Sequence, residues 1–380
     1  MKHYLFNKKA IHPFSSDELL FMFMKKSFLV CMKKEVRYMF GFSVSLTQQP
    51  SLSKIQKMQK VGFQLIYTSL VVPSDTLPVA MTHLQQLARF SKQHDLQLVV
   101  QITKQTKSLL PKLAKLSIQA LIADESFSKD EVKELALNYR IILNASTLNI
   151  DCFQNFKGLN IEAWHDRYEQ PFTGLDDTFF QQQNQLIQRE NIPLGAFLMS
   201  DISTTLNNAP TLEKHRTSSV FAHAIELIQQ GIQTIIISDD DLSEEATRQF
   251  TDWIHSNYIT LYMTSYVLHN PIHQFTFHTR PDLSRDVIRL QESRSYFSEN
   301  VLFGRSRGRK VGDITMNMLG MGSYAGEVHL VKVDLPENEH IFTIGKIRKE
   351  DQPLLSICPC NQKIKLEEMN TPIRKGISFT

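Results

Sequence analysis

The chain has 380 residues, more than the roughly 250 to 300 at which one hydrophobic core stops growing, so we expect two domains. Hydrophobic residues make up 42% of it and charged residues 21%, a composition that excludes a disordered or fibrous protein. The net charge of +3 arises in residues 1–38, which hold eight Lys/Arg and three Asp/Glu. The remaining 34 basic and 36 acidic residues provide no basic field for nucleic acid.

The first 38 residues mix short apolar runs with lysine pairs. They contain no run of 18 apolar residues, the length that a membrane-spanning helix needs. A clear strand pattern, FGFSVSL, begins directly after Met39. We therefore expect Met39 to be the natural start and residues 1–38 to be spurious or disordered, with an anchor in a membrane interface as the alternative.

From residue 40 onward, short apolar runs alternate with longer amphipathic stretches. The runs predicted to be strands are 40–46, 63–70, 96–103, 120–124, 140–146, 159–164, 193–200 and 234–240. Helical patterns lie at 51–61, 77–94, 105–117, 128–138, 148–156, 175–190, 211–230 and 243–256, with Ser128 and Thr211 as expected helix caps. Eight strand–helix units predict a (β/α)8 TIM barrel over residues 39–258. An open doubly wound sheet is the alternative, although the first turn, SLTQQPSLS, lacks a glycine-rich nucleotide fingerprint.

Residues 259–380 follow a different pattern, with alternation at period two. The strand-like pieces are DITMNML, AGEVHLVKVDL, IFTIGKI, PLLSICP and KIKLEEM. We predict a small, mainly β domain. The four cysteines of the whole chain are too few and too scattered for a disulfide framework, which favours a reducing cytoplasm.

Polar side chains stand at the predicted carboxyl ends of the barrel strands, where TIM barrels carry their active sites. They include Ser45, Gln101, Asp124, Glu125, Asn144, Glu162, His165, Asp166 and Asp239. Hydroxyls, amides and carboxylates without a cysteine or histidine cluster suit a sugar better than a metal, and we expect no metal or cofactor.

Each of these candidates also has a purely structural explanation. Asp124 could cap the next helix, Asn144 could form a loop turn, and His165 could be a half-buried histidine with satisfied partners. Asp239 could simply stabilise a helix N-terminus. In the second region, Arg280, Arg285, Arg289 and Arg294 could stripe a solvated surface or bind a phosphate or carboxylate.

These stretches resemble a family of two-domain bacterial proteins whose characterised members are the 6-phospho-N-acetylmuramidases of peptidoglycan recycling. The resemblance covers nearly all of the chain from Met39. It rests on the order and spacing of GFSVSL, GFQLIYTSLVVP, LNAST, WHDRYEQPFTGLDDTFFQQQN, PTLEKHR, FHTRPDLSRDVIRLQESR, GDITMNM, YAGEVHL and IGKIRKEDQPLL. The family combines a TIM barrel with a cyclophilin-like β domain, so the resemblance implies the same pair here.

Some positions match the family's pattern and others differ. At residues 165–175 the family pattern is close to H-N-F-Y-P-R-P-x-T-G-L. The residues of this chain that match it are His165, Tyr168, Pro171, Thr173, Gly174 and Leu175, and those that differ are Asp166, Arg167, Glu169 and Gln170. Asp124 matches the family's aspartate after strand four, Asn144 its asparagine at strand five and Asp239 its aspartate after strand eight. Asn317-Met318 and Ser323-Tyr324 stand where Asp-Asn and Arg-Tyr are usual, which indicates a diverged member.

The resemblance implies hydrolysis of the β-1,4 bond between N-acetylmuramic acid 6-phosphate and N-acetylglucosamine. Such chemistry typically needs two carboxyl groups, and we predict Asp124 with Glu162 or Asp239. Substrate contacts are expected from Ser45, Asn144, His165, Tyr168, Arg280 and Arg294, the two arginines binding the phosphate or the lactyl carboxylate. The alternatives are lyase or etherase chemistry on the same sugar phosphate, and a non-catalytic sugar-phosphate-binding protein. The oligomeric state stays open.

Overall fold

A computed structural model describes residues 38–149, 155–202, 208–217, 219–267, 270–297 and 306–369. The expectations for residues 1–37 of the leader and for most of the helix predicted at 148–156 lie outside these residues. The chain from Met39 onward forms one compact unit. Among the described helices, none is long and apolar enough to cross a membrane.

Eight parallel strands close into a barrel, which confirms the predicted TIM fold. They are β1 Met39–Ser43, β2 Leu65–Ser69, β3 Gln97–Ile102, β4 Ala120–Ala123, β5 Arg140–Asn144, β6 Ile161–Trp164, β7 Leu194–Leu198 and β8 Thr234–Ile237. Strand β1 pairs in parallel with both β2 and β8. Because the last strand returns to the first, the open-sheet alternative is wrong.

Helices follow the strands around the barrel. The barrel helices are α1 Leu52–Val61, α2 Leu77–Gln93, α3 Leu110–Leu113, α4 Lys129–Ala136, α5 Asp177–Arg189, α6 Val220–Gln229 and α7 Glu244–Ser256. The cap at Ser128 is confirmed, since its side chain accepts from the Glu131 N–H. The cap at Thr211 is wrong: its hydroxyl accepts from the Phe197 N–H and donates to the Asp166 carbonyl, and Ser219 caps α6 instead.

The barrel interior is filled by alternate residues of the strands. Its packed cluster comprises Leu65, Tyr67, Val99, Ala120, Ile142, Trp164, Phe197 and Ile236. Gly195 is required beside Trp164, because a Cβ at that position would collide with the indole ring. The interior is therefore a packed core, and any site must lie in the loops beyond the strand ends.

A seven-stranded sheet follows, as the mainly β prediction expected. Its order is β10-β15-β9-β14-β12-β13-β11, with β9 Tyr258–Ser265, β10 Thr276–His278, β11 Val287–Arg289, β12 Asp313–Asn317, β13 Val328–Val331, β14 Ile341–Ile347 and β15 Lys363–Glu368. Two short helices, α8 Ser293–Phe297 and α9 Pro353–Ile357, accompany it. The strand predicted at PLLSICP is wrong, because Pro353 has the φ that suits the first position of a helix and begins α9.

The second sheet is joined to the barrel through α7. The buried Gln249 side chain of α7 donates to the Thr260 carbonyl at 2.9 Å and to Asp351 Oδ1 at 3.1 Å. Strand β9 begins two residues after α7 ends, so no linker separates the two sheets. The domain boundary at 258 stays a prediction.

Candidate active site

The loops that follow β4, β5 and β6 gather polar side chains at the carboxyl ends of three neighbouring strands. We call this face of the barrel the mouth. Asp124 directly follows β4, Asn144 ends β5, and His165 and Asp166 follow β6. Because β4, β5 and β6 pair in sequence, these side chains share one side of the mouth.

His165 lies below this surface and has no contact with solvent. Its Nδ1 lies 3.0 Å from Ser146 Oγ, its Nε2 lies 2.8 Å from Asn184 Oδ1, and its ring packs on Phe180. Burial lowers the pKa of His165 to about 4, so the ring is neutral near pH 7. The predicted sugar contact is therefore corrected: His165 anchors the loop after β6 and is out of a ligand's reach.

Asp166, the next residue, is a carboxyl group at the mouth whose pKa is raised. Solvent reaches its side chain, but the surrounding protein reduces its hydration and so raises its pKa above the ordinary value. The charges of Glu169 and Glu125 raise that pKa further, while Arg167 opposes them. A carboxyl group that holds its proton to higher pH is suited to general acid catalysis.

Two carboxylates precede it on the β4 side. Asp124 Oδ1 accepts from the Ser126 N–H at 3.1 Å and from the Ser126 hydroxyl, so one oxygen is held within its own loop. Glu125 accepts from the Asn144 side-chain amide at 3.2 Å. The structure thus joins the loops after β4 and β5 and brings Glu125 into the electrostatic environment of Asp166.

Tyr67 and Gln101 form the floor of the mouth above the packed core. The Tyr67 hydroxyl donates to Gln101 Oε1 at 2.5 Å, and burial raises the pKa of Tyr67 to about 12. The guanidinium carbon of Arg167 lies 5.4 Å from the centre of the Tyr67 ring. A cation from the loop after β6 therefore lies over the barrel interior.

The loop from Asp166 to Leu175 is fastened to the segment that precedes α6. Glu213 accepts from the backbone N–H groups of Phe172 and Gly174, each at 2.7 Å. Arg216 donates to the carbonyls of Tyr168 and Gln170 at 2.5 and 2.7 Å. These bonds fix the backbone that carries Asp166 and Arg167. Tyr168, predicted to contact substrate, is partly buried here, and burial raises its pKa.

Glu162 lies at the other end of the barrel, contrary to its predicted catalytic role. Its Oε1 lies 3.1 Å from the guanidinium of Arg140, the first residue of β5, and its Oε2 accepts from the Trp164 indole at 2.9 Å. Arg140 also lines a cavity of about 410 Å³ at the amino ends of β3 to β6. The Trp164 side chain fills the interior between Glu162 and the mouth, so we remove Glu162 from the candidate carboxyl pair.

Asp239 and Ser45 belong to the opposite rim of the mouth. Three strands separate β8 from β4 in either direction around the barrel. Asp239 Oδ1 accepts from the Asp240 N–H at 2.6 Å, and Asp240 pairs with Lys54 at 3.0 Å. The exposed Ser45 follows β1, which neighbours β8, and its hydroxyl lies 2.8 Å from that of Thr47.

The two arginines predicted to bind an anion lie in the region of the second sheet, Arg280 after β10 and Arg294 on α8. Arg280 forms a two-point ion pair with Asp282, at 2.7 and 3.1 Å. Arg294 donates to the Ser323 carbonyl at 3.0 Å and lies over the Tyr324 ring. Both guanidinium groups therefore already have partners within the protein.

Sequence reasoning did not select Tyr67 or Arg167 as site residues, and it placed Asp166 at a strand end without giving it a role in the reaction. Tyr67 could have been found by alternation, since inward positions recur every second residue along each strand. Asp166 and Arg167 follow the strand end and were set aside as departures from a family pattern. In the part of the chain described here, no group of three or more His, Cys, Asp or Glu side chains is placed to hold a metal ion.

Comparisons with known proteins cover nearly the whole chain. Residues 40–252 match the family model for the N-terminal domain of 6-phospho-N-acetylmuramidase, and residues 259–367 match the model for its C-terminal domain. A crystal structure of a conserved Enterococcus faecalis protein of unknown function is similar at 27% identity and a TM-score of 0.78, covering 88% of this chain and 97% of that one. An uncharacterized B. cereus protein shares the fold at 19% identity and a TM-score of 0.71, covering 87% of this chain and 100% of that one. A search of curated proteins finds no match.

Proposed function

Because the chain belongs to the 6-phospho-N-acetylmuramidase family, we propose that it hydrolyses its glycosidic bond among the loops that follow β4, β5 and β6. The family is one of glycosidases, and its substrate is a phosphorylated amino sugar. What remains to be assigned is the position of the reaction and the groups that carry it out.

The observation that carries the assignment is the placement of Asp124, Glu125 and Asp166 on one side of the mouth, where the surrounding protein also raises the pKa of Asp166. Hydrolysis of a glycosidic bond typically requires one carboxyl group that donates a proton and a second that acts as base or nucleophile. In this proposal Asp166 donates the proton to the leaving oxygen. Glu125 helps to keep Asp166 protonated, and Asp124 is the second carboxyl group.

A second arrangement keeps Asp239 as the partner of Asp124. Asp239 matches the strand-eight aspartate of the family, whereas Asp166 stands where the family pattern has asparagine. Proton donation by Asp166 would therefore be a feature of this chain and not of the whole family. The change Asp166→Asn restores the family's residue and separates the two arrangements directly.

The remaining predicted contacts keep their proposed roles in part. Asn144, at the tip of β5, has an amide suited to a hydroxyl or acetamido group, and Ser45 and Tyr168 belong to the loops that follow β1 and β6. To bind an anion, Arg280 would have to release Asp282, and Arg294 would have to release the Ser323 carbonyl. The substrate proposed is N-acetylmuramic acid 6-phosphate linked β-1,4 to N-acetylglucosamine, processed in the cytoplasm during peptidoglycan recycling.

The test is to incubate the full chain with the 6-phosphorylated and unphosphorylated disaccharides and to identify the products by mass spectrometry. Wild type is expected to release N-acetylglucosamine from the phosphorylated form. Asp124→Asn and Asp166→Asn should each reduce kcat by about 1,000-fold or more while ligand binding persists, because general acid catalysis and the second carboxyl each contribute rate factors of this order.

The control is Asp130→Asn, a change of the same kind on the outer helix α4, where the side chain is exposed. Full activity of Asp166→Asn together with inactive Asp239→Asn would establish the second arrangement. Wild type that binds the disaccharide without cleaving it would instead identify a sugar-phosphate-binding protein. A product bearing a double bond would indicate a lyase.

A further inference from the structure

Arg167 places a positive charge at the centre of the mouth. Its guanidinium carbon lies 5.4 Å from the centre of the Tyr67 ring, and Tyr67 is 2% exposed and packs edge-on against Phe197 in the barrel interior. The charge of Arg167 therefore lies over the floor of the mouth that Tyr67 helps to form.

The Arg167 guanidinium is largely withdrawn from water, yet it has no strong partner. Only 15% of the side chain is exposed, and the nearest carboxylate oxygen, Glu169 Oε1, lies 3.8 Å from Nε, beyond hydrogen-bonding distance. Within the described residues the guanidinium donates no hydrogen bond, and only the backbone N–H of Arg167 is bonded, to Asp166. By contrast, Arg140 and Arg216 donate to carboxylates or carbonyls at 2.5 to 3.1 Å.

A guanidinium that is shielded from water and donates no hydrogen bond costs free energy of folding unless a ligand accepts from it. A sheltered arginine loses hydration, and a protein normally compensates that loss with charge-assisted hydrogen bonds. Here Arg216 and Glu213 fasten the backbone that follows Arg167, and the Thr211 hydroxyl donates to the Asp166 carbonyl just before it, so the cation is held in place with its donors unused. A rigid fork of this kind binds the two oxygens of a carboxylate or phosphate in parallel.

The sequence of the loop also supports a ligand-binding role for Arg167. Where the pattern H-N-F-Y-P-R-P has phenylalanine and then arginine, this chain has Arg167 and Gln170. The loop therefore keeps one arginine but carries it three residues earlier, at the position that lies over Tyr67.

We propose that Arg167 is a specificity-determining residue that binds an anionic group of the sugar substrate. This inference rests on the proposed function above. Two groups of the substrate have the required chemistry, the 6-phosphate and the lactyl carboxylate, and each can accept two parallel N–H bonds from the guanidinium. Arg167 thereby positions the sugar ring with its glycosidic oxygen beside the Asp166 carboxyl group.

The experiment compares wild type, Arg167→Gln and Arg167→Lys on three disaccharides: one with both anionic groups, one without the phosphate and one without the lactyl carboxylate. Arg167→Gln should lower kcat/KM on the complete substrate by at least about 100-fold, since removing one partner of a buried charge pair costs several kcal/mol. On the disaccharide that lacks the group bound by Arg167, the same change should have little effect, and this identifies the group. Arg167→Lys should recover part of the loss.

Arg189→Gln, on the exposed last turn of α5, is the matched control and should behave as wild type. Rates are compared over a pH range, because removing Arg167 also raises the pKa of Asp166. Equal losses on all three disaccharides, or no loss on the complete one, would overturn the proposal. If wild type binds but does not cleave, the proposed function fails, and calorimetric affinities of the three ligands for wild type and Arg167→Gln still test Arg167.

Discussion

The Nε2 atom of His165 lies 2.8 Å from the amide oxygen of Asn184, inside the protein between the loop after β6 and helix α5. This contact, with the Ser146 hydroxyl on the other ring nitrogen, holds the backbone just before Asp166 and Arg167. The geometry of the candidate site therefore depends on a neutral, fully buried histidine.

Protonation of His165 should destabilise the fold. Its pKa is lowered to about 4 in the folded state, whereas in the unfolded chain it is the ordinary 6.5. As pH falls below about 6.5, the unfolded state takes up a proton that the folded state does not accept until about pH 4. The free energy of unfolding should fall over this range, by on the order of 3 kcal/mol for this residue.

Urea unfolding of wild type and His165→Gln between pH 4 and 7.5 measures this contribution. His215 and His223 also have lowered pKa values and remain in the variant, so the pH dependence should become shallower without vanishing. An unchanged pH dependence in His165→Gln would show that the ring is not the group that titrates.

Removal of the Glu125 charge should change the pH profile of the reaction. Glu125 raises the pKa of Asp166, and a general acid is active only while protonated. In Glu125→Gln the pKa of Asp166 should be lower, so the alkaline limb of the kcat profile should move to lower pH. Glu134→Gln, on the outer helix α4, serves as the control. A limb that stays in place would mean that Asp166 is not the proton donor or is not influenced by Glu125.

Glu162→Gln should affect stability and spare catalysis. The Arg140–Glu162 pair is mostly buried, with 22% and 12% of the two side chains exposed, so breaking it should cost about 2–3 kcal/mol. Because the pair lies at the amino end of the barrel, kcat should stay within about twofold of wild type, as expected of the face that carries stability. Denaturant unfolding and steady-state kinetics check both values. A loss of kcat comparable to that of Asp124→Asn would restore Glu162 to the catalytic pair.

The variant Phe172→Gly should have a higher free energy of unfolding than the variant Phe172→Ala. Its φ of 67° is in the left-handed region and its ring is 92% exposed, so truncation removes almost no packing. Glycine removes the left-handed penalty of about 1–2 kcal/mol but is more flexible when unfolded, which leaves an advantage of about 0.5–1 kcal/mol over alanine. Thermal unfolding of Phe172→Gly and Phe172→Ala gives the difference, and equal stability would show that the loop relaxes around this residue.

The barrel was predictable because its signals are local. Each strand is a short apolar run, each helix has its own period, and the cap at Ser128 depends on residues within one turn. Errors arose where local patterns are shared by two structures: PLLSICP reads as a strand but begins with a proline that starts a helix. Thr211 has the form of a cap, yet β7 and the loop after β6 take up its hydroxyl.

The candidate site was predictable only in part. Asp124 and Asn144 were placed correctly at strand ends by counting strands, whereas Glu162 and His165 were placed in the site because they stand near the end of the same strand. Side-chain direction separated them: Glu162 turns toward Arg140, 22 residues earlier, and His165 toward Asn184, 19 residues later.

By itself, the sequence determined the eight-unit barrel, the mainly β region after it and the family, because periodicity and motif spacing are properties of neighbouring residues. Only the tertiary structure decided which carboxyl groups share the mouth and that Arg167 lies over Tyr67, 100 residues away along the chain. The physical reason is that burial, pKa and ion pairing depend on distances across strands, and closing the barrel sets those distances.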